Sequence, residues 1–160
     1  MEMNFCMVCG TRLTLKEHPT DGQIPYCERC GDYRFPMFST AVSMLTMNPE
    51  RTRILLITQY GRPNFILPAG YVDKGEAAEQ AVRRELREEL GMDALSMKYL
   101  SSHYYARSET LMLNFSVTVE ERDPQPNWEV DSWRWFTPEE ARRTVRPGGL
   151  ASRLLNDLKD

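Results

Sequence analysis

The chain has 160 residues, with 20 basic and 23 acidic side chains and a formal net charge of −3 at pH 7. Hydrophobic residues make up 41% and charged residues 27% of the sequence, which excludes collagen-like, coiled-coil and wholly disordered chains. The mildly acidic balance disfavours a basic surface for duplex nucleic acid. The longest apolar run, near Ile54 to Ile57, is far too short to span a membrane. The first residues lack the basic and apolar regions of a secretory signal, so we expect a cytoplasmic protein.

All four cysteines lie within the first 30 residues, at Cys6, Cys9, Cys27 and Cys30. Two residues separate the members of each pair and a glycine follows each pair, which allows a tight turn that directs both thiolates at one cation. Two such turns about 15–20 residues apart are typical of a tetrahedral four-thiolate zinc site. Two disulfides or four unrelated thiols are the alternatives, and a reducing cytosol disfavours disulfides. We therefore predict a structural Zn²⁺, which would supply folding energy that about 30 residues cannot obtain from a hydrophobic core.

The alternation of apolar and turn-forming residues predicts strands mixed with a few helices, which favours a layered α/β domain. We divide the chain into a zinc ribbon over residues 1–36 and a second domain over residues 37–160. In chain order, the predicted elements of the second domain are strands over 38–47, 53–60 and 65–67, a helix over 77–90, strands over 97–105, 111–120 and 132–136, a short helix capped by Thr137, and a terminal helix over 150–158.

The helix predicted over residues 77–90 carries Glu85, Glu88 and Glu89 at positions i, i+3 and i+4, within an arc about 100° wide. Like charges at these spacings disfavour a helix by about 0.2–0.5 kcal/mol per pair. The cluster becomes favourable around Mg²⁺ or Mn²⁺, because these cations bind carboxylates together with the phosphates of a substrate. For these residues alone, the alternative is a solvated charged face in which Arg84 pairs with Glu88.

The longer segment from Gly70 to Met92 matches the pattern G-x5-E-x7-R-E-U-x-E-E-x-G-U at every position, where U is an apolar residue. Seven specified residues match by chance with a probability on the order of 10⁻⁸ to 10⁻⁹ per starting position. This pattern is the Nudix box, and the chain resembles Nudix hydrolases. The resemblance implies an α/β/α sandwich with a mixed sheet, and Mg²⁺- or Mn²⁺-dependent hydrolysis of nucleoside diphosphates linked to another moiety.

The resemblance also implies a role for individual residues of this segment. Pyrophosphate carries dense negative charge, and divalent cations neutralise it, lower the pKa of a bound water and hold the leaving oxygen. The implied metal ligands are the carboxylates of Glu85 and Glu89, that of Glu88 as a further ligand or the general base, and the backbone carbonyl of Ala69, while Glu76 and Arg84 match residues that orient the helix and its acids.

Outside the box, the chain resembles bacterial NADH pyrophosphatases, in which a four-cysteine ribbon precedes the Nudix domain. Phe35 matches an aromatic that leaves the ribbon and packs against the base, and Tyr71 matches the aromatic after the box glycine. Glu129 matches the position that donates a late metal ligand, and it is implied as a further catalytic residue. A solvated loop acid is the alternative interpretation of Glu129.

The segment after the box departs from that subfamily. NADH pyrophosphatases carry S-Q-P-W-P-F-P-x-S, their selectivity element for nicotinamide dinucleotides, where this chain has SHYYARSET at residues 102–110. All three prolines are missing, so FAD, ADP-ribose and related adenylated diphosphates become comparable to NADH as expected substrates. His103 and Tyr105 are predicted to contact a base, with packing in a strand as the alternative.

We therefore expect an enzyme in which water attacks the diphosphate of a dinucleotide such as NADH or NAD and yields two monophosphates. Alternatives are an FAD or ADP-ribose pyrophosphatase, and removal of an NAD cap from RNA, as some relatives of NADH pyrophosphatases do. A zinc-ribbon binding module with vestigial activity belongs to a different class, which the intact box and the few basic ribbon residues disfavour. Related enzymes are homodimers, and Met7 and Val8 would offer apolar surface for such an interface. Neither a membrane nor duplex nucleic acid is expected as a partner.

Overall fold

The structure is a computed structural model that describes residues 3–158. Its contacts divide the chain into two compact units, with the division between Phe38 and Ser39. Among the described residues, no helix is long and apolar enough to cross a membrane.

The first unit is a three-stranded antiparallel sheet in the order β1-β2-β3. Among its described residues, the only buried side chains are those of Cys6 and Cys27. The unit therefore has the cysteines at its centre where a larger domain would have an apolar core. Its strands are β1 (Thr14–His18), β2 (Gly22–Cys27) and β3 (Asp32–Tyr33).

The second unit contains a six-stranded mixed sheet with the order β7-β8-β4-β5-β9, and β6 pairs with β4. The pairing of β4 with β8 is parallel, and the other pairings are antiparallel. The elements are β4 (Ser39–Met47), β5 (Ile54–Gln59), β6 (Ala69–Tyr71), α1 (Ala78–Leu90), β7 (Ser96–Tyr105), β8 (Thr110–Thr118), β9 (Val130–Phe136), α2 (Pro138–Thr144) and α3 (Leu150–Asp157).

The central strand β4 has apolar side chains on both faces, and helices bury both of these faces. Val42 and Met44 belong to a buried cluster that includes Leu86 of α1. Leu45 lies on the opposite face, in a second buried cluster that includes Leu155 of α3. The sheet is therefore enclosed between α1 on one side and α2 and α3 on the other, which confirms the predicted α/β/α sandwich with a mixed sheet.

Helix α1 lies as predicted, and its end has a clear physical cause. Gly91 follows the last helical residue with φ +61°, and its N–H donates to the carbonyl of Arg87 at 3.0 Å. This left-handed conformation favours glycine and stops the helix. The apolar face of α1, with Val82, Leu86 and Leu90, is fully buried against the sheet, which leaves the acidic positions beside its edge.

The strand predicted over residues 65–67 is wrong. Within that segment Ile66 forms only a single bridge to Ile57, and the short strand β6 begins at Ala69. Pro68 has no N–H to donate to a strand ladder, although its carbonyl accepts from the amide of Met44 at 2.9 Å. Regular pairing with β4 therefore starts after the proline and carries Ala69 into the sheet.

Candidate active site

A cavity of about 620 Å³ in the second unit is lined by five carboxylates. Three of them come from one face of α1, one comes from the loop that precedes β9, and the fifth is that of Asp73, between β6 and α1. The exposed ring of Tyr71 and the partly buried ring of Tyr105 also line the cavity. The sequence-predicted site residues that line it are Ala69, Tyr71, Arg84, Glu85, Glu88, Glu89, Tyr105 and Glu129.

Arg84 connects the acids at one side of this cavity. Its Nε and Nη2 donate to the two carboxylate oxygens of Glu76 at 3.0 and 2.9 Å, a bidentate arrangement that lowers the pKa of Glu76. Its Nη1 donates to Glu85 at 2.7 Å and to Glu88 at 3.1 Å. A further bond reaches the carbonyl of Tyr71 at 2.8 Å. Glu76 does not line the cavity. It holds the guanidinium of Arg84, which in turn orients the two carboxylates of Glu85 and Glu88 in the cavity.

Glu89 is the most deeply buried of the five acids, with 3% of the residue exposed. Its Oε1 accepts from the amide of Gln59 at 2.7 Å, whereas its Oε2 has no hydrogen-bond partner among the described residues. Burial raises the pKa of Glu89 to about 7, and the charges of the other acids act in the same direction. An unpartnered buried carboxylate oxygen is costly, and a hard divalent cation would satisfy it. The donor set at this cavity therefore fits such a cation.

Position 70 accommodates only a glycine, because the carboxyl group of Glu85 packs against its backbone. A Cβ atom at position 70 would lie 1.9 Å from Cδ of Glu85, inside the space that this carboxyl group occupies. Glu85 is partly buried at this close approach, and the burial raises its pKa despite the neighbouring Arg84. The absence of a side chain at position 70 is therefore a condition for the position of the Glu85 carboxylate.

Glu129 is held by Tyr60, a residue that the sequence analysis missed. The Tyr60 hydroxyl donates a short hydrogen bond to Oε2 of Glu129, which raises the pKa of Tyr60 to about 12. Gln59, the partner of Glu89, was also missed. Both residues lie where the buried strand β5 ends, next to a register irregularity and before Gly61. A polar residue at the end of an otherwise apolar strand was the available signal.

Of the predicted base contacts in the second unit, His103 does not line the cavity, and the roles of His103 and Phe35 stay predictions. His103 lies on β7 with its ring 4.7 Å from that of Tyr105, and its Nε2 is 3.3 Å from Nη1 of Arg153. Phe35 belongs to the first unit, where its half-exposed ring meets that of His18 edge-on at 5.8 Å.

The four cysteines of the first unit form a separate cluster. Their sulfur atoms lie within 4.8 Å of one another, with 3.9 Å between Cys6 and Cys30 and 3.5 Å between Cys9 and Cys27. All four are free, and these separations are far longer than a disulfide bond of about 2.05 Å. Nε of Arg34 donates to Sγ of Cys6 at 3.3 Å and lowers the pKa of this thiol to about 6. The thiolate binds metals, so this cluster can hold a metal ion.

Comparison with known proteins gives matches over most of the chain. A family model described as the NUDIX domain matches residues 37–154. Two curated relatives are both named NAD-capped RNA hydrolase NudC. The protein from Pseudomonas aeruginosa is 28% identical over 83% of this chain and 47% of its own length, and the protein from Stutzerimonas stutzeri is 32% identical over 82% and 47%. The chain spans about half the length of these relatives.

The fold has solved counterparts as well. A crystal structure of a NUDIX hydrolase from Nitrosomonas europaea has a TM-score of 0.69 and 19% identity, and the match covers 97% of this chain and 92% of that one. A similarity at this level of identity supports the fold alone.

Proposed function

This chain belongs to the NUDIX domain family, and from that premise we propose that it hydrolyses a nucleoside diphosphate linked to another moiety, a dinucleotide such as NAD or NADH, into two monophosphates. The observation that carries the proposal is the Oε2 atom of Glu89, buried without a partner in a cavity lined by four further carboxylates. Such a cavity repels an anionic substrate unless cations occupy it.

The residues that would hold the cation are Glu85, Glu88, Glu89, Glu129 and the backbone carbonyl of Ala69. When bound, Mg²⁺ or Mn²⁺ supplies charge neutralisation of the diphosphate and a lowered pKa for an attacking water. The oxygen donors suit both Mg²⁺ and Mn²⁺.

The protein side chains position the candidate metal ligands and accept the proton that the attacking water loses. Arg84, fixed by Glu76, keeps the carboxylates of Glu85 and Glu88 in place, and Tyr60 does the same for Glu129. The side chain of Glu88 is 57% exposed, so as the alternative to binding the cation it can accept the proton of the attacking water and pass it to solvent. The water oxygen forms a new bond to one phosphorus, the bridging P–O bond breaks, and the second phosphate leaves as a monophosphate.

The substrate assignment rests on the relatives rather than on the cavity. Because two relatives are named for the hydrolysis of NAD-capped RNA, removal of an NAD cap from RNA is the second candidate function. Both candidates require cleavage of the same diphosphate bond in an NAD unit. FAD and ADP-ribose are the competing substrates, since residues 102–110 lack the prolines expected for nicotinamide selectivity.

We further propose that residues 1–36 form a zinc ribbon that precedes a catalytic domain over residues 37–160. Zinc–sulfur bonds of about 2.3 Å place tetrahedral sulfurs about 3.8 Å apart, close to the separations of 3.9 and 3.5 Å between the cysteine pairs. Four thiolates leave no open position for substrate, so this Zn²⁺ would be structural. Metal analysis of protein purified without chelator tests the assignment, and fewer than about one zinc per chain would contradict it.

The decisive experiment compares kcat/KM for NAD, NADH, NAD-capped RNA, FAD and ADP-ribose, each with Mg²⁺ and with Mn²⁺. Glu85→Gln is expected to lower turnover of the best substrate by about 100-fold or more, because it removes charge that the bound cation requires. Glu79→Gln is the matched control, since Glu79 is an exposed acid in the first turn of the same helix. Equal turnover in the two variants would contradict the site, and no turnover of any substrate would contradict the activity.

A further inference from the structure

Trp128 is 82% exposed, the highest exposure among the large hydrophobic side chains of the described residues. It stands next to Glu129, a candidate metal ligand that lines the cavity. Isolated apolar residues on a surface are common, but an exposed tryptophan beside a candidate active site is a candidate contact for the ligand of that site. We propose that Trp128 and Tyr60 form a stacking site for the base of a nucleotide whose phosphate lies in the carboxylate cavity.

The loop that carries Trp128 is fixed on both sides of the indole. The amide of Asn127 donates to the carbonyl of Glu89 at 3.1 Å, which ties the loop to α1 at one of its candidate metal ligands. The side chain of Asn127 then accepts from the amide of Glu129 at 2.9 Å. The indole is therefore presented by an anchored backbone, so little conformational freedom is lost when a ligand binds to it.

Tyr60 forms the second wall of this site. Its ring lies 6.3 Å from that of Trp128 at an interplanar angle of 63°, and 59% of the residue is exposed. It adopts φ +54°, an uncommon conformation for a residue with a side chain. Bonds hold it there, from its hydroxyl to the carboxylate of Glu129 and from its amide to the carbonyl of Glu129 at 3.4 Å. The two rings are therefore in edge-to-face contact, and Tyr60 is hydrogen-bonded to the residue that follows Trp128 in the chain.

The chemistry around Trp128 and Tyr60 favours a nucleobase over other partners. The proposal rests on the proposed function, in which the cavity holds the phosphates of a nucleotide, and Tyr60 lines that cavity. A base attached to such a phosphate would extend toward the cavity rim, and stacking requires only a π-face. The base can belong to a free nucleotide or to the first nucleotide of an RNA, and both sources present the same surface.

Binding measurements separate this proposal from the catalytic one. We would measure Kd with Mn²⁺ present for AMP, for ribose 5-phosphate, which has the same phosphate and no base, and for a short 5′-phosphorylated single-stranded RNA. Trp128→Ala should raise the Kd of AMP, of the RNA or of both by about 5- to 150-fold, equivalent to about 1–3 kcal/mol of stacking. The Kd of ribose 5-phosphate should stay unchanged. A response confined to the RNA identifies nucleic acid as the source of the base, a response confined to AMP identifies a free nucleotide, and an equal response shows that the site accepts both.

A conservative variant tests whether the indole ring itself is responsible. Trp128→Phe should keep most of the affinity for the base because an aromatic ring remains. The exposure of Trp128 predicts an unchanged Tm for Trp128→Ala, so a loss of affinity would not come from unfolding. The proposal is overturned if Trp128→Ala leaves all three values of Kd unchanged, or changes that of ribose 5-phosphate as much as that of AMP. Neither result depends on hydrolysis, so the failure of one proposal is distinguishable from the failure of the other.

Discussion

Each of the two units groups potential metal ligands at one place, but the two units differ in which other contacts stabilise their fold. In the first unit, the only buried side chains of the described residues are two of the cysteines. In the second unit, the carboxylates lie beside a sheet that two apolar clusters already stabilise on both faces. We infer that a metal ion would be a condition for folding in the first unit and a condition for chemistry in the second.

The largest effect is expected when the thiolate cluster is broken. Binding of a structural zinc contributes about 10–16 kcal/mol in small zinc-dependent units, far more than a unit of this size obtains from packing. Cys27→Ser should therefore unfold the first unit and leave the second folded. Hydrogen exchange by mass spectrometry would show lost protection in β1 and β2 with retained protection in β4 and β5. Lost protection in all four strands would contradict the independence of the two units.

Truncation of a core side chain tests whether the second unit, unlike the first, depends on apolar packing for its stability. Leu86 is fully buried between α1 and the sheet, so Leu86→Ala should destabilise the second unit by about 2–5 kcal/mol through the cavity that it leaves. Leu15 in the first unit is 68% exposed, and Leu15→Ala is the matched control, with an expected change within about 0.5 kcal/mol. Urea unfolding monitored by hydrogen exchange measures both. A larger loss for Leu15→Ala would show that the first unit has an apolar contact that its stability requires.

Gly70 allows the chemistry of the second unit to be changed with little effect on its core. In Gly70→Ala the new methyl group would overlap the carboxyl group of Glu85, which must move. A displacement of about 1 Å at a reacting site costs about 100-fold in rate, so kcat should fall by about that factor while the far-UV circular dichroism stays the same. Gly149→Ala is the control, since its Cβ would approach the carbonyl oxygen of Arg146 to 3.3 Å, which requires a shift of only a few tenths of an ångström and displaces no carboxyl group. Full activity of Gly70→Ala would contradict the position assigned to Glu85.

The features predictable from the sequence are those that depend on local pattern. The 3.6-residue period of α1, its end at Gly91 and the spacing of its glutamates all lie within one segment, and the sandwich was implied by the family resemblance that this segment carries. Gln59 and Tyr60 were not predictable in the same way, because their partners Glu89 and Glu129 lie 30 and 69 residues away. The start of β6 likewise depends on its pairing with β4, which no local pattern records.

The smallest effect concerns a stabilising feature of the second unit that needs no metal. The carboxylate of Glu140 accepts hydrogen bonds from the amide and hydroxyl of Thr137 at 2.8 and 3.0 Å, and these bonds lower its pKa below the ordinary value of 4.5. A lowered pKa means that the ionised form stabilises the folded state above pH 4.5, and that this stabilisation is lost as the pH falls through the lowered value. Glu140→Gln should therefore reduce Tm at pH 7 by a small amount, and the difference from the unmodified protein should shrink as the pH falls below 4.5. Glu139→Gln, whose exposed carboxylate pairs only with Arg143 one turn later, should show a smaller difference at pH 7. An equal pH dependence in the two variants would mean that the cap at Thr137 does not contribute, and that the packing of α2 on the sheet alone determines its stability.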